Sequence, residues 1–169
     1  MSPEQTSTDV RSDALRLLTN GLYVLTTCLE NTIHSAAVAW VSQVSAQPPL
    51  VLVALRRNSH LAHAVRKAHR FALNILSADQ ETLAAQFFAY QTASAAATAL
   101  SGFAVRPDVG HCPLLTDAMG WLECRVAGEL ATPGDHALIL GEVTGAGIRR
   151  HGQPLTLWMT PWSYGGATE

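Results

Sequence analysis

Charged residues are scarce in this sequence. Asp, Glu, Lys and Arg make up 14% of the 169 residues, whereas an average soluble protein has about 25%. Hydrophobic residues make up 48%. A chain with so little charge and so much apolar surface can bury enough of it to offset the entropy of folding, which excludes a disordered protein. The length is that of one domain and leaves no room for two.

The sequence also lacks an excess of either charge and lacks long hydrophobic runs. Eleven basic residues against 13 acidic ones give a net charge of −2, which provides no basic surface for nucleic acid. The longest apolar runs, 48–55 and 93–100, are far shorter than the ~18 residues of a membrane-spanning helix. Residues 1–9 are polar and do not resemble a signal peptide. We therefore expect a flexible N-terminus of nine residues on a cytoplasmic protein that binds neither nucleic acid nor membrane.

Cysteine pairs and the common catalytic motifs are absent as well. Cys28, Cys112 and Cys124 are an odd number without close spacing, which argues against a disulfide framework and favours reduced thiols. His60 and His63 have no supporting carboxylate pattern, so no metal site is predicted. Glycine-rich nucleotide loops, serine-hydrolase elbows and zinc-protease motifs are also missing. If the protein is an enzyme, a bound cofactor has to supply the chemistry.

The apolar pattern predicts mainly strands with a few flanking helices. Such a set of elements favours a closed or nearly closed antiparallel barrel. The strand at 50–57 is apolar throughout, which predicts burial on both faces. Ser77 and Gln80 form a capping-box pattern that predicts the start of a helix. The expected elements are a helix at 9–19, a hairpin of 22–29 with 33–44, the strand 50–57, a helix at 60–69, a strand at 71–76, a helix from 77, an irregular excursion at 89–100 and a hairpin of 121–130 with 136–145.

The strongest local signal lies where a strand runs into a helix at residues 56–60. Arg56 and Arg57 precede Asn58 and Ser59, which are good N-cap residues. The N-terminus of a helix presents free N–H groups and a positive dipole, and arginines beside it would favour a phosphate. An ordinary capped helix with two surface arginines explains the same residues. Both interpretations stay open at this point.

A second signal lies in the strand predicted over residues 34–45. Ala36, Ala37 and Ala39 leave the backbone uncovered before Trp40, so a planar ligand could lie against this strand. Close packing inside a barrel accounts for small residues equally well. His136 follows a turn at the start of a strand, where it could either contact a ligand at the barrel rim or cap the turn.

Taken together, these segments resemble one known family, the flavin reductase-like, FMN-binding split-barrel proteins. The resemblance runs in register over residues 15–166, and the order and spacing of its short motifs make it specific. The motifs are GLYVLTT (21–27), WVSQVS (40–45), PPLV (48–51), NSH (58–60), RFALNIL (70–76), WLEC (121–124), GDH (134–136), GEV (141–143) and TPWSYGG (160–166).

The resemblance implies a six-stranded antiparallel split β-barrel over residues 10–166, forming a homodimer with one flavin near each subunit boundary. It implies an NAD(P)H-dependent flavin reductase that passes hydride from NADH or NADPH to FMN or FAD and supplies a separate monooxygenase. His136 is implied to orient the nicotinamide dinucleotide. The residues implied to bind the flavin are Ala36, Ala37, Val38, Ala39, Trp40, Ser42, Ala54, Leu55, Arg56, Asn58, Ser59, His60 and Tyr164.

The chain departs from the family pattern at a few of these positions. Ala37 and Ala39 stand where many members have Thr and Ser, so two side-chain hydrogen bonds to the flavin are absent. Arg56 replaces a frequent asparagine. Two alternatives follow: a protein that holds FMN tightly without nicotinamide activity, and a dimeric scaffold that has lost the flavin.

Overall fold

The fold is mainly β with flanking helices, as the sequence predicts. It is known from a computed structural model that describes residues 5–106 and 112–165. The helices are α1 (Gln5–Arg16), α2 (His60–Ala68) and α3 (Glu81–Gln86), and Leu157–Met159 forms one 3-10 turn. The strands are β1 (Tyr23–Leu29), β2 (Thr32–Val38), β3 (Val41–Ala46), β4 (Pro49–Arg56), β5 (Arg70–Ile75), β6 (Gln91–Ser94), β7 (Ala99–Leu100), β8 (Phe103–Arg106), β9 (Leu114–Leu115), β10 (Gly120–Leu130) and β11 (His136–Ile148).

The main sheet closes on itself through a two-residue junction. Its strands are hydrogen bonded in the order β3-β4-β11-β10-β5-β1-β2-β6. β2 and β3 are far apart in this order, yet only Ala39 and Trp40 separate them in the chain. The N–H of Ala54 on β4 donates to the carbonyl of Trp40 at 3.0 Å. With β2 and β3 counted as one bent strand, six strands form the antiparallel barrel, and β6 extends β2 outside the ring.

This junction corrects the prediction of one continuous strand over residues 34–45. β2 ends at Val38 and β3 begins at Val41. Between them, the N–H of Val41 donates to the carbonyl of Ala39 at 3.0 Å, a tight local turn in place of a ladder bond. The composition stays strand-like on both sides of the turn, so the pattern gives no sign of the break.

Two hydrophobic cores lie on the two faces of β1. Leu25 packs into the barrel interior with Phe71, and α2 covers the same core with Leu61. Val24, its neighbour in the chain, packs instead into an outer core with Phe87. Because successive strand residues point to opposite faces, β1 is buried on both faces over residues 24–27.

Strand β4 does not have two buried faces, contrary to the prediction. Val51, Val53 and Leu55 are buried, whereas Leu50 and Leu52 on the other face are only half-buried. One face of β4 therefore fills the barrel, and the other leaves apolar surface partly open.

Helix α2 begins where the sequence predicts. Ser59 has an extended backbone (φ −78°, ψ 150°), and its hydroxyl accepts a hydrogen bond from the N–H of Ala62 at 3.1 Å. The helix ends at His69, which is left-handed (φ 56°) and donates its N–H to the carbonyl of Val65. The cap at Ser59 fixes the start of α2 shortly after the end of β4, and the left-handed His69 ends the helix.

The region after β5 differs from the prediction. Helix α3 starts at Glu81, because the hydroxyl of Ser77 bonds the carboxylate of Asp79 rather than capping a helix. Gln80 still accepts the N–H of Ser77 at 3.0 Å. Residues 89–100 are not an irregular excursion: β6 pairs with β2, and β7 opens a small sheet of order β7-β8-β9.

The hairpin of β10 and β11 confirms the second predicted hairpin. The first helix starts at Gln5, four residues before the predicted start. Residues 1–4 of the predicted flexible segment 1–9 lie outside the described residues. Gly166, the predicted end of the domain, also lies outside them. Within 5–106 and 112–165, no helix has the length and apolar character needed to span a membrane.

Candidate functional site

A cleft of about 630 Å³ lies where the strand junction, the N-terminus of α2 and two loop segments meet. Its volume is typical of sites for small molecules and cofactors. Eleven of the flavin-binding residues expected from the sequence line it, namely Ala36, Ala37, Val38, Ala39, Trp40, Ala54, Leu55, Arg56, Ser59, His60 and Tyr164. Two segments distant in the sequence, 36–40 and 54–60, thus form one site.

The barrel side of the cleft, residues 36–40, 54–56 and 59–61, is mostly apolar. Its three small residues, Ala36, Ala37 and Ala39, lie at the end of β2 and in the junction after it and leave the backbone close to the cleft. The N–H of Ala37 donates to the carbonyl of Phe87 at 2.7 Å, so this group is already paired within the protein. The barrel side therefore offers an apolar wall on which the N–H of Ala37 is not available to a ligand.

Arg56 and Arg57 are neighbours with different roles. Arg56 is exposed and lines the cleft. Nη2 of Arg57 donates instead to the carbonyls of Thr132 and Gly134, at 3.0 and 2.8 Å, in the turn between β10 and β11. The guanidinium of Arg57 holds this turn, so only Arg56 is available to an anion in the cleft.

The N-terminus of α2 is firmly positioned beside Arg56. Arg66 on α2 makes a paired ionic contact with Glu129 on β10, at 2.8 and 2.9 Å, and also donates to the carbonyl of Arg57 at 3.0 Å. The N–H groups of His60 and Leu61 lie in the first helical turn and have no intrahelical acceptor. Together with the Ser59 hydroxyl they form the positive end of the cleft.

The loop side of the cleft, residues 88–90 and 157–164, is aromatic and was largely missed in the sequence. Phe88, Tyr90, Leu157, Trp162 and Ser163 line the cleft alongside the predicted Tyr164. Phe88 and Trp162 meet edge to face, with ring centroids 4.4 Å apart and an interplanar angle of 84°. The signal that could have found Phe88 and Tyr90 is the aromatic run at 87–90, within a segment that otherwise lacks pattern. Trp162 and Ser163 lie in the TPWSYGG motif.

His136 lies next to the cleft and beneath Trp40. It is 9% exposed, and its ring centroid is 4.6 Å from that of Trp40. Nδ1 is 2.6 Å from the carboxylate of Asp135, and this hydrogen bond holds the pKa of Asp135 below its ordinary value. A carboxylate only accepts, so Nδ1 carries the proton and the neutral ring has its lone pair on Nε2. Nε2 is buried without a hydrogen-bond partner among the described residues.

The structure does not bring Ser42 or Asn58 to the cleft. Ser42 follows the turn at Ala39, on β3, and lines a separate groove of about 330 Å³ with Tyr23 and Leu50. Asn58 is exposed in the turn before α2. The position of Ser42 follows from the strand break, which turns β3 away from the cleft.

The described residues hold no group of three or more metal-ligating side chains. Burial raises the pKa of both Cys112 and Cys124 to about 12, so both thiols stay protonated at neutral pH. Among 5–106 and 112–165, Cys28, Cys112 and Cys124 are all free.

The fold is that of a known family. Residues 15–163 match the model of the flavin reductase-like domain, and the chain belongs to that family. Among solved structures, it is similar to the styrene monooxygenase flavin reductase (SMOB) of Pseudomonas putida S12. The identity is 26%, the TM-score is 0.73, and the match covers 96% of this chain and 99% of that one. The split-barrel fold expected from the sequence is thereby confirmed.

Curated relatives have related names. The NADH-dependent FMN reductase AsuE2 of Streptomyces nodosus subsp. asukaensis is 37% identical over 133 residues, covering 77% of this chain and 69% of that protein. The reductase component of 4-nitrophenol 4-monooxygenase/4-nitrocatechol 2-monooxygenase from Rhodococcus opacus is 32% identical over 127 residues, covering 75% and 65%. The chain spans less than two thirds of the length of some curated relatives, including the Rhodococcus protein.

Proposed function

We propose that this chain is an NAD(P)H-dependent flavin reductase that supplies reduced FMN or FAD to a separate monooxygenase. The observation that carries the proposal is the cleft itself, in which an apolar wall adjoins the N-terminus of α2 and the exposed side chain of Arg56. Flavins combine a planar ring with a phosphate and fit such a site. The names of the relatives support the same reaction.

The residues of the cleft divide the binding of a flavin between them. The wall of Ala36 to Trp40 would hold the ring and exclude water from one of its faces. The hydroxyl of Ser59, the first N–H groups of α2 and the guanidinium of Arg56 would hold the phosphate. When bound, the flavin accepts the hydride that a nicotinamide gives up.

His136 is proposed as a positioning residue for the nicotinamide dinucleotide. Asp135 fixes its tautomer, which leaves Nε2 as a hydrogen-bond acceptor for an amide group. The ring of His136 lies against that of Trp40 and does not line the cleft, so we expect the histidine to reach a ligand when the Trp40 ring turns aside. Tyr164 contacts the same indole, with ring centroids 5.2 Å apart, and we expect it to shift when Trp40 turns.

A homodimer and a cytoplasmic location belong to the same proposal. The half-buried residues Leu50 and Leu52 on β4, and Val44 at 49% exposure, leave an apolar surface beside the second groove. A second copy of the chain would cover such a surface. Three free cysteines favour a reducing compartment.

The decisive experiment is an absorbance spectrum of the purified protein, followed by assays with NADH and NADPH, each combined with FMN and FAD. We expect nicotinamide oxidation that depends on added flavin with at least one combination. Turnover with none of the four would overturn the proposal.

The phosphate end can be tested separately with Ser59→Asp. Aspartate caps helices as well as serine does, so α2 should stay intact while a negative charge enters the cleft. Flavin affinity should fall at least about tenfold, or ~1.4 kcal/mol, with the thermal midpoint unchanged or higher. Ser59→Asn is the matched neutral control, and unchanged affinity in Ser59→Asp would remove the phosphate site from the proposal.

The contact of Trp40 with His136 favours one second candidate function, a protein that holds FMN tightly but does not use a nicotinamide. Such a protein would be yellow, would keep stoichiometric FMN through gel filtration and would not react with NADH or NADPH.

A further inference from the structure

Three rings form a continuous surface at the positive end of the cleft: His34 on β2, His60 on α2 and Tyr90 before β6. We call these residues the His-Tyr surface. His60 and Tyr90 are stacked with centroids 5.4 Å apart and an interplanar angle of 30°. Tyr90 and His34 are tilted by 32° with centroids 5.9 Å apart. The surface begins inside the cleft, which His60 and Tyr90 line, and continues beyond it to His34.

The position of these rings is fixed by local contacts. Nδ1 of His34 is hydrogen bonded to the hydroxyl of Tyr90, and β6 pairs with β2 next to them, with His34 opposite Thr92. Burial, followed by the charges of His63 and His60, lowers the pKa of His34, so its ring is neutral at pH 7. Tyr90 is 37% exposed and His60 is also exposed. The surface is thus open to solvent, and its rings are suited to stacking on a nucleobase.

The His-Tyr surface adjoins the positive end of the cleft. His60 follows Ser59 directly in the chain, and both residues line the cleft. FMN ends at its phosphate, whereas FAD continues through a second phosphate to an adenosine. With the phosphate of a flavin at Ser59, the adenosine of FAD would lie near the His-Tyr surface, which FMN would leave unused.

We propose that the His-Tyr surface binds the adenine of FAD, so that this chain binds FAD more tightly than FMN. This inference rests on the flavin site of the proposed function and adds a binding subsite with its ligand. It makes Tyr90 a specificity-determining residue, because Tyr90 lies between the two histidines and touches both.

Titration of the purified protein with FMN and FAD, followed by tryptophan fluorescence, tests the proposal. The wild-type protein should bind FAD at least about fivefold more tightly than FMN. Tyr90→Ala should reduce that ratio by about tenfold, equivalent to ~1.4 kcal/mol. Tyr90→Phe keeps the ring and loses only the hydroxyl, so it should retain most of the preference.

Phe88→Ala is the matched control, since Phe88 lines the same cleft but is no part of the His-Tyr surface. It should weaken FMN and FAD binding in equal proportion and leave their ratio unchanged. A wild-type protein that prefers FMN, or a Tyr90→Ala variant that keeps the wild-type ratio, would overturn the inference.

A third measurement distinguishes the adenine of FAD from that of the nicotinamide dinucleotide. With FMN as the acceptor, Tyr90→Ala should leave KM for NADH within about twofold of wild type. If KM rises while the flavin ratio stays constant, the surface serves the nicotinamide dinucleotide and the inference is wrong. Absence of any flavin binding in the wild-type protein would instead overturn the proposed function.

Discussion

The barrel side and the loop side of the cleft are built by different means. On the barrel side, strands paired along their length and a capped helix set the positions of the lining residues. On the loop side, residues 88–90 and 157–164 come from distant parts of the chain and meet through ring contacts such as that of Phe88 with Trp162. Phe88 is 47% exposed, so little packing holds it.

This difference indicates which side yields to a ligand. Backbone ladders open only when the sheet unfolds, whereas segments held by a few partly exposed side chains open at low free-energy cost. We therefore expect changes on the barrel side to alter global stability, and changes on the loop side to alter ligand exchange.

The largest effect is expected at Gly141, in the barrel interior. A Cβ at this position would lie 2.5 Å from Cζ of Phe71 and 2.9 Å from Cβ of Cys124, and Phe71 is fully buried. Gly141→Ala should therefore cost about 2–3 kcal/mol of unfolding free energy by overpacking, measured as a lower urea midpoint. Gly128→Ala on β10 is the control, because nothing lies within 4 Å of its Cβ. Equal midpoints for the two variants would contradict the expected rigidity of the barrel.

Substitution of the two adjacent arginines should affect different properties, the stability of the protein for Arg57 and the binding of flavin for Arg56. Arg57→Ala removes a charged donor from the carbonyls of Thr132 and Gly134 and should cost about 1–2 kcal/mol of stability. Arg56→Ala should change stability by less than about 0.5 kcal/mol and weaken flavin binding about tenfold. Chemical denaturation and flavin titration of both variants check this, and the opposite pattern would exchange the roles given to the two residues.

On the loop side, Phe88→Ala should change stability by less than about 1 kcal/mol but speed flavin dissociation severalfold, because the edge-to-face contact with Trp162 is lost. Stopped-flow release of flavin measures the rate. Trp158→Ala, at a tryptophan that is 73% exposed and outside the cleft lining, should leave the rate unchanged. A release rate unaffected by Phe88→Ala would show that the loop side does not control exchange.

The smallest expected effect is on the pH dependence of thermal stability, through His34. The pKa of His34 is lowered from 6.5 by burial and by the neighbouring His63 and His60, so the unfolded chain binds this proton more readily than the folded protein. Stability from this group is complete above about pH 6.5 and falls as the pH drops below that value. His34→Gln should therefore lose less thermal stability than wild type between pH 7.5 and 5.5. His151→Gln, at an exposed histidine outside the cleft, should behave as wild type.

The parts of the site that the sequence revealed are those that depend on local interactions. The Ser59 cap and the small residues from Ala36 to Ala39 are visible because each is defined by its neighbours in the chain. The break after Val38 is invisible, because composition does not change across it, and the misplacement of Ser42 follows from that. The aromatic contacts of Phe88 and the cover of Trp40 over His136 arise from packing between remote segments, which periodicity does not encode.

The junction at Ala39 and Trp40 also restricts how the chain length can vary. Strand side chains alternate between faces, so one inserted residue between Val38 and Val41 would reverse every side chain of β3 or displace Trp40 from β4. Insertions and deletions should therefore be selected against at this junction, where the length of the connection is itself part of the cleft.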